Sequence, residues 1–144
     1  MTATQLNPYI NFNGNAEEAL NFYKNALGGE LTISRFSEFA SPEMPVPEGQ
    51  ENGVMHGMLI TDDFQLMAAD ALALGGAVAT GNNISISLSG DDETKLTNYF
   101  DSLSAGGTIK EPLAKAPWGD SFGMFTDKFG IEWMVNIAGP KTDA

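Results

Sequence analysis

The chain has 144 residues, no cysteine and a single histidine, and its 19 acidic against 7 basic side chains give a formal net charge of −12. This charge repels nucleic-acid phosphates and anionic lipids, so the composition argues against both classes of partner. The lack of cysteine excludes disulfides, thiolate nucleophiles and zinc–sulfur sites.

The apolar fraction of 42% is enough for one compact domain, over residues 1–144, with a sizeable core. No apolar run approaches the ~20 residues that a membrane-spanning helix needs. The opening segment MTATQLNPYI has no basic region followed by an apolar one, so no signal peptide is expected. We therefore expect a cytoplasmic protein.

The first half of the chain predicts one helix among four strands. Asn15 is placed to cap the helix, and Gly28–Gly29 are typical of a helix end. Aromatic and β-branched content, alternation and turn residues mark the strands. They are predicted at 7–13, 30–39, 53–60 and 64–70.

The second half repeats this order after an Ala/Gly-rich connector at 71–81. Asn83–Ser89 alternates strictly between apolar and polar residues, which predicts a strand with one polar face. Asp91 or Asp92 then caps a helix that ends at Gly106–Gly107. Further strands are predicted at 108–111, 121–126 and 131–137, with the segment PLAKAPWGD (112–120) as a loop.

An internal duplication explains this parallel order. The segment NFYKNALGG, which begins at Asn21, matches NYFDSLSAGG, which begins at Asn98. We therefore predict an α+β fold of two tandem βαβββ modules, at 6–72 and 82–138. Each curved mixed sheet is expected to pack one face on its own helix and to turn the other towards a cleft that suits a small ligand.

Three segments resemble the PhnB-like branch of the vicinal oxygen chelate superfamily (glyoxalase, bleomycin resistance, extradiol dioxygenase). They are LNPYINFNGNAEEALNFYKNALGGE, VMHGML and WGDSFGMFTDKFGIEWMVNI, which together extend over nearly the whole chain. The resemblance implies paired βαβββ modules and a homodimer. It does not imply one activity, because the superfamily contains glyoxalases, dioxygenases, fosfomycin-modifying enzymes and drug-sequestering proteins.

The resemblance also implies where a metal would bind, on the first strand and on a later strand of each module. Alignment of the strand–helix junctions brings Pro8 and Ser85 to ligand positions, and a match of the turn at Asp127–Gly130 brings Met134 to another, with residues 66–68 as the remaining one. None of these side chains is an ordinary ligand of a catalytic divalent cation. No metal or other cofactor is therefore expected, and the open alternative is a rearranged iron or manganese site built from His56, Asp70 and Glu132.

Two residues are candidates for catalysis. His56 lies in an otherwise apolar strand, where it would act as a general base or remain a buried, hydrogen-bonded histidine. Glu132 would act as a base if desolvation raised its pKa, or would be an ordinary surface charge. Asp70 would form a dyad with His56 if both side chains faced the cleft.

The remaining candidates would contact a bound molecule. Ser85 and Ser87 belong to the polar face of their strand, where they offer hydrogen bonds or are simply hydrated. Trp118 would stack on a flat ligand or anchor its loop on the core. Met134 is grouped with them, whereas Trp133 alternates with Ile131 and Val135 and is expected in the core.

These features favour a protein that binds a small organic molecule and lacks the usual metal ligands. The first alternative is an enzyme of lyase, isomerase or dioxygenase type that uses His56 with nearby carboxylates. The second is an interaction subunit that works through its dimer surface. A one-residue error in strand register would reverse each assignment to the cleft.

Overall fold

The structure, a computed structural model, describes residues 4–43, 45–46, 48–71 and 78–139, so residues 72–77 of the connector lie outside it. The described residues form eight strands, two α-helices and a short 3-10 helix at Phe36–Glu38. The main elements are β1 Tyr9–Phe12, α1 Ala16–Leu27, β2 Glu30–Arg35, β3 Val54–Ile60, β4 Gln65–Asp70, β5 Ile86–Gly90, α2 Glu93–Ser104, β6 Thr108–Lys115, β7 Ser121–Thr126 and β8 Glu132–Ile137.

The chain divides into two compact units, Met1–Ala79 and Thr80–Ala144. Each unit contains one four-stranded sheet, in the order β1-β4-β3-β2 in the first and β5-β8-β7-β6 in the second. The first strand of each unit pairs in parallel with the last, and the other pairings are antiparallel. The predicted α+β class and the tandem βαβββ modules are confirmed, while the limits 6–72 and 82–138 remain a prediction.

In the first unit, α1 packs its apolar stripe on one face of the sheet. Leu20 of the helix meets Leu59 and Leu66 of the strands in the core, and all three are buried. Gly57 allows this close approach, because a Cβ there would come within 2.3 Å of the Leu20 Cδ1 atom. Each large apolar side chain that is fully buried contributes about 2 kcal/mol to stability.

The second unit repeats this arrangement with aromatic side chains. The Phe100 ring of α2 meets Phe125 edge to face, with their centroids 5.0 Å apart. Phe125 in turn stacks on Trp133 at 6.4 Å. Trp133 is buried, as the sequence predicts, and its indole N–H donates to Asp127 at 2.8 Å.

The largest differences from the predicted boundaries are at the end of β2, the start of β5 and the end of β6. β2 ends at Arg35 rather than at residue 39, because the 3-10 turn follows it, and β5 begins at Ile86 rather than at residue 83. The expected loop after residue 111 is wrong for residues 112–115, which continue β6. This strand is at the edge of its sheet and has two register irregularities, so it accommodates Pro112 without a lost ladder hydrogen bond in the sheet interior.

The start of α1 is capped from a distant strand. Asn15 precedes the helix but makes no side-chain capping hydrogen bond. Instead, one carboxylate oxygen of Asp70 accepts the backbone N–H groups of Gly14 and Ala16, at 2.9 and 3.0 Å. The other oxygen accepts the Val54 N–H at 2.9 Å, so Asp70 joins the end of β4 to the starts of α1 and β3.

Among the described residues, no helix has the length and apolar character needed to cross a membrane.

This cap predicts that Asp70→Asn destabilises the protein much more than Asn15→Ala. The Asn side chain would turn an NH2 group towards a backbone donor, and the loss of charge-assisted hydrogen bonds is expected to cost about 3 kcal/mol. Asn15→Ala removes no hydrogen bond in the cap and should change stability by less than about 0.5 kcal/mol. Urea unfolding of both variants measures the difference, and equal effects would contradict the assigned cap.

Candidate functional site

The face of the first sheet opposite α1 carries a group of polar and aromatic side chains. Side chains alternate along each strand, and the helix side is fixed by Gly57, Leu59 and Leu66. The pairing register then gives the residues of the opposite face, which we call the first far face. They are Tyr9, Asn11, Glu30, Thr32, Ser34, His56, Met58, Ile60, Gln65, Met67 and Ala69.

Tyr9 and His56 form the central contact of the first far face. Their rings are 5.7 Å apart between centroids, and the Tyr9 hydroxyl lies 3.4 Å from Nδ1 of His56. Tyr9 is 47% exposed and His56 is half-buried. Tyr9 pairs with Met67, which in turn pairs with Met58, so thioethers continue the face beside the two rings. This combination is an aromatic and polarisable surface with one titratable imidazole.

The expected dyad of Asp70 with His56 does not form, because the two side chains lie on opposite faces of the first sheet. Asp70 is only 3% exposed and points to the helix side of the sheet, where three backbone N–H groups occupy its carboxylate. His56 lies on the other face, opposite Ser34 of β2. The rearranged set of His56, Asp70 and Glu132 therefore does not assemble as expected, because His56 and Asp70 lie on opposite faces of the first sheet.

The second sheet has its own far face, opposite α2. Ser87 pairs with Met134 and Ser89 with Asn136, while Met124 pairs with Met134 from the other side. Ser85 lies just before β5 and is half-buried, whereas Ser87 is exposed within the strand. By this register the second far face comprises Ser87, Ser89, Thr108, Glu111, Ala114, Phe122, Met124, Thr126, Glu132, Met134 and Asn136, and Lys110 joins it through its contact with Glu132.

Glu132 is held in a polar cluster on the second far face. Its carboxylate is 7% exposed and accepts from the Lys110 ammonium on one oxygen and from the Thr126 hydroxyl on the other. Burial raises the pKa of Glu132, but the hydrogen bonds from Lys110 and Thr126 and the Lys110 charge outweigh burial and lower that pKa overall. Glu132 is therefore ionised at neutral pH, which disfavours the role of a base with a raised pKa.

Trp118 lies in the turn between β6 and β7 and is 66% exposed. The alternative in which it anchors the loop on the core is therefore wrong. Its ring is 6.2 Å from that of Phe122, so it extends the second far face at one edge. Asp120 stabilises the same turn by accepting from Gly139 N–H and from the Asn136 amide, and these two hydrogen bonds lower the pKa of Asp120.

The registers identify equivalent positions in the two modules. Gly57 and Gly123 each lie over the helix of their own unit, and Tyr9 beside Met67 corresponds to Ser87 beside Met134. By this register Pro8 and Ser85, which the alignment of junctions pairs with each other, are not equivalent positions of the two modules. Equivalent pairs along the sheets are His56 with Phe122, Met58 with Met124, Ile60 with Thr126, and Gln65 with Glu132.

These positions do not suit a divalent metal. Tyr9, Met67, Ser87 and Met134 offer a phenol, two thioethers and a hydroxyl, and Pro8 and Ser85 beside them are no better ligands, whereas catalytic metals require imidazole, thiolate or carboxylate groups that converge. Within the ranges that the structure describes, no three His, Asp or Glu side chains come together to hold an ion. The donor set therefore does not fit the metal that the superfamily often carries.

Sequence reasoning missed Tyr9 and Lys110. A signal for Tyr9 was present, because it alternates with Ile10 and Phe12 and so shares a face with Asn11. Lys110 gave no signal, because its orientation depends on an irregularity in the pairing of β6 with β7.

Comparison with known proteins agrees with this architecture. Residues 5–135 match the family described as Glyoxalase/Bleomycin resistance protein/Dioxygenase superfamily. Protein YjdN of Escherichia coli (strain K12) is 30% identical over 140 residues, which cover 92% of this chain and 94% of YjdN.

Two solved structures share the fold over the same extent. Protein PA1353 from Pseudomonas aeruginosa has 37% identity and a TM-score of 0.79, over 94% of this chain and 98% of that one. A Bacillus cereus structure described as a putative 3-demethylubiquinone-9 3-methyltransferase, PhnB protein, has 25% identity and a TM-score of 0.73, over 94% of this chain and 100% of that one. The chain belongs to the glyoxalase/bleomycin resistance protein/dioxygenase superfamily, in its PhnB-like branch.

Proposed function

We propose that this chain binds a small organic molecule on the first far face, around Tyr9 and His56. The observation that carries the proposal is the contact between these two rings on a sheet face that the helix of the unit does not use. Small-molecule sites combine apolar and aromatic walls with a few polar groups that fix orientation. Tyr9 and the thioethers of Met58 and Met67 supply the walls, and His56 supplies the polar group.

The charges of this face limit the kind of ligand that it suits. Arg35, the only arginine of the chain, lies on the helix side, where it pairs with Glu17 of α1. The described residues of the first far face include no lysine or arginine, and Glu30 is the acidic one. The ligand is therefore expected to be neutral or cationic rather than anionic, with a flat apolar part that packs on Tyr9.

The second far face has a related composition. Ser87, Met134 and Trp118 offer a hydroxyl, a thioether and an exposed indole, which support contacts with an organic molecule there as well. Asp70 lacks this support, because its carboxylate already accepts backbone hydrogen bonds. Ser85, half-buried just before β5, stays a candidate contact. The homodimer expected from the sequence and the resemblance remains an expectation.

We predict that a screen of neutral and cationic organic compounds by thermal melting finds ligands, and that Tyr9→Ala lowers the affinity for these ligands by about tenfold or more. The reason is the loss of a packing surface worth about 1.5 kcal/mol or more. Phe39→Ala is the matched control, because Phe39 is an aromatic residue with 48% exposure, close to that of Tyr9 at 47%, outside the two far faces. The proposal is contradicted if the hits bind Tyr9→Ala as tightly as the unaltered protein, or if the screen yields no hits.

We also predict that the purified protein contains no stoichiometric divalent metal and that neither added cations nor a chelator changes its melting temperature. A stabilising ion raises the melting temperature through its affinity for the folded state, and the donor set provides no such affinity. Elemental analysis and paired melts measure this. The prediction is contradicted if the protein contains stoichiometric metal and a chelator lowers its melting temperature, which would show a metal site that the donor set does not reveal.

Acid–base catalysis by His56 is a second candidate function, favoured by the Tyr9 contact. The phenol beside Nδ1 would orient the imidazole and leave Nε2 to take a proton from a bound molecule and return it, as in an isomerase. In this role His56 is the catalytic residue and Tyr9 a positioning residue.

For any ligand that the melts identify, we predict exchange of a carbon-bound proton for deuterium in heavy water, followed by NMR. His56→Ala should slow it by about a hundredfold or more, the range expected for a removed general base. Tyr9→Phe keeps the ring and should slow the exchange while leaving ligand affinity nearly unchanged. Full exchange in a folded His56→Ala variant would remove the catalytic role and leave the binding proposal intact.

A further inference from the structure

We propose that Lys110, on the second far face, binds the carbonyl oxygen of a neutral organic molecule. Glu132 is the positioning residue that holds the Lys110 ammonium in place. This inference does not rest on the function proposed for the first far face, because it concerns other residues on another sheet. It follows from the register of β6, the burial of Glu132 and a comparison of the two modules.

Lys110 is an inserted residue in its strand. Ile109 pairs with Phe125, and the next paired residues are Glu111 and Met124, so Lys110 has no partner on β7. Bulges of this kind redirect a side chain and are frequent beside binding sites as well as at sheet edges. Here the redirected ammonium extends across β7 to reach Glu132 on β8. Protection of an edge alone would not require this contact.

The first module shows that the fold does not need the cluster. In β2 the corresponding residues Leu31 and Thr32 pair without interruption with Leu59 and Met58. Gln65 and Ile60 occupy the positions of Glu132 and Thr126. The same four-stranded sheet therefore forms with an amide and an apolar side chain in place of the carboxylate and the hydroxyl.

Stability alone is also a poor explanation for the ion pair. Removal of a carboxylate from water costs free energy that its attraction to an ammonium roughly offsets, and apolar replacements of buried pairs are often neutral or stabilising. The carboxylate is 7% exposed, while the Lys110 side chain is 44% exposed. The buried partner thus holds the accessible one in a fixed place.

The hydrogen-bonding capacity that remains belongs to Lys110. Both oxygens of Glu132 are occupied, one by Lys110 and one by Thr126. An ammonium has three N–H donors, of which Glu132 takes one. Because Glu132 already neutralises the charge, and the chain carries −12, the group best suited to the free donors is a neutral oxygen acceptor such as a carbonyl. The thioethers of Met124 and Met134 would contact the apolar part of that molecule.

The test uses three probes of the same size, namely benzamide, benzoate and benzylammonium, with carbon-13 labels on the methionine methyl groups. Met124 and Met134 report on the second far face, while Met58 and Met67 report on the first, so the two proposals are distinguished. Met→Leu variants assign the signals. We expect benzamide to shift the Met124 and Met134 signals saturably, and to do so more strongly than benzoate.

Lys110→Met should weaken the binding of benzamide by about tenfold or more, as expected for a lost hydrogen bond from a charged donor. Lys110→Gln, which keeps a donor for Glu132, replaces this variant if Lys110→Met folds poorly, and it should weaken the binding of benzamide in the same way. Lys115→Met is the matched control, because Lys115 lies in the same strand and pairs with Ser121, at the other end of β7.

Glu132→Gln separates the positioning role from a structural one. It removes the neutralising charge and leaves the ammonium, so benzoate should gain affinity relative to benzamide. A merely structural role would lower the affinity for both probes alike. The proposal is overturned if Lys110→Met binds benzamide like the unaltered protein, if the unaltered protein prefers benzoate, or if no probe shifts Met124 and Met134 up to its solubility limit.

Discussion

The packing of one helix against one face of each sheet is the constraint on which the chemistry of this molecule depends. Because side chains alternate along a strand, the residues that meet α1 and α2 determine which residues lie on the other side. Gly57 and Gly123 fix this choice within each unit, since their missing side chains make room for Leu20 and Phe100. His56 and Phe122 lie next to these glycines and are thereby turned to the far faces. A bulkier residue at either glycine would move the helix or the strand, and with it the neighbouring far-face side chain.

The pattern of alternating residues made much of the fold predictable. β7 lies where the sequence places it, and Trp133 belongs to the core because it alternates with Val135 on the helix side. The resemblance likewise identified a family that the comparisons confirm. Local patterns were sufficient in these cases, because alternation and helix periodicity are decided by neighbours in the sequence.

The site was less predictable, because it depends on contacts between distant residues. Asp70 was expected beside His56, yet its carboxylate caps α1, 54 positions away from its partner Ala16. Trp118 was as compatible with a core anchor as with an exposed ring until the turn was seen. Lys110 was missed because one unpaired residue in β6 redirects its side chain, and a sequence does not show where a strand pair skips a residue.

The duplication also explains how two modules with one fold can offer different chemistry. The helix-side positions under the centre of each helix remain apolar in both, since each unit must bury its own core, and Asp70 is a polar exception that caps α1. The far-face positions are free of that demand, and there His56 corresponds to Phe122, Tyr9 to Ser87 and Gln65 to Glu132. The first face therefore carries an imidazole beside a phenol, and the second carries an ion pair at one end and an indole with a phenyl ring at the other. At the equivalent positions Tyr9 and Ser87, and Met67 and Met134, the modules have phenol, hydroxyl and thioether groups, whose chemistry is hydrogen bonding and packing rather than the coordination of a divalent cation.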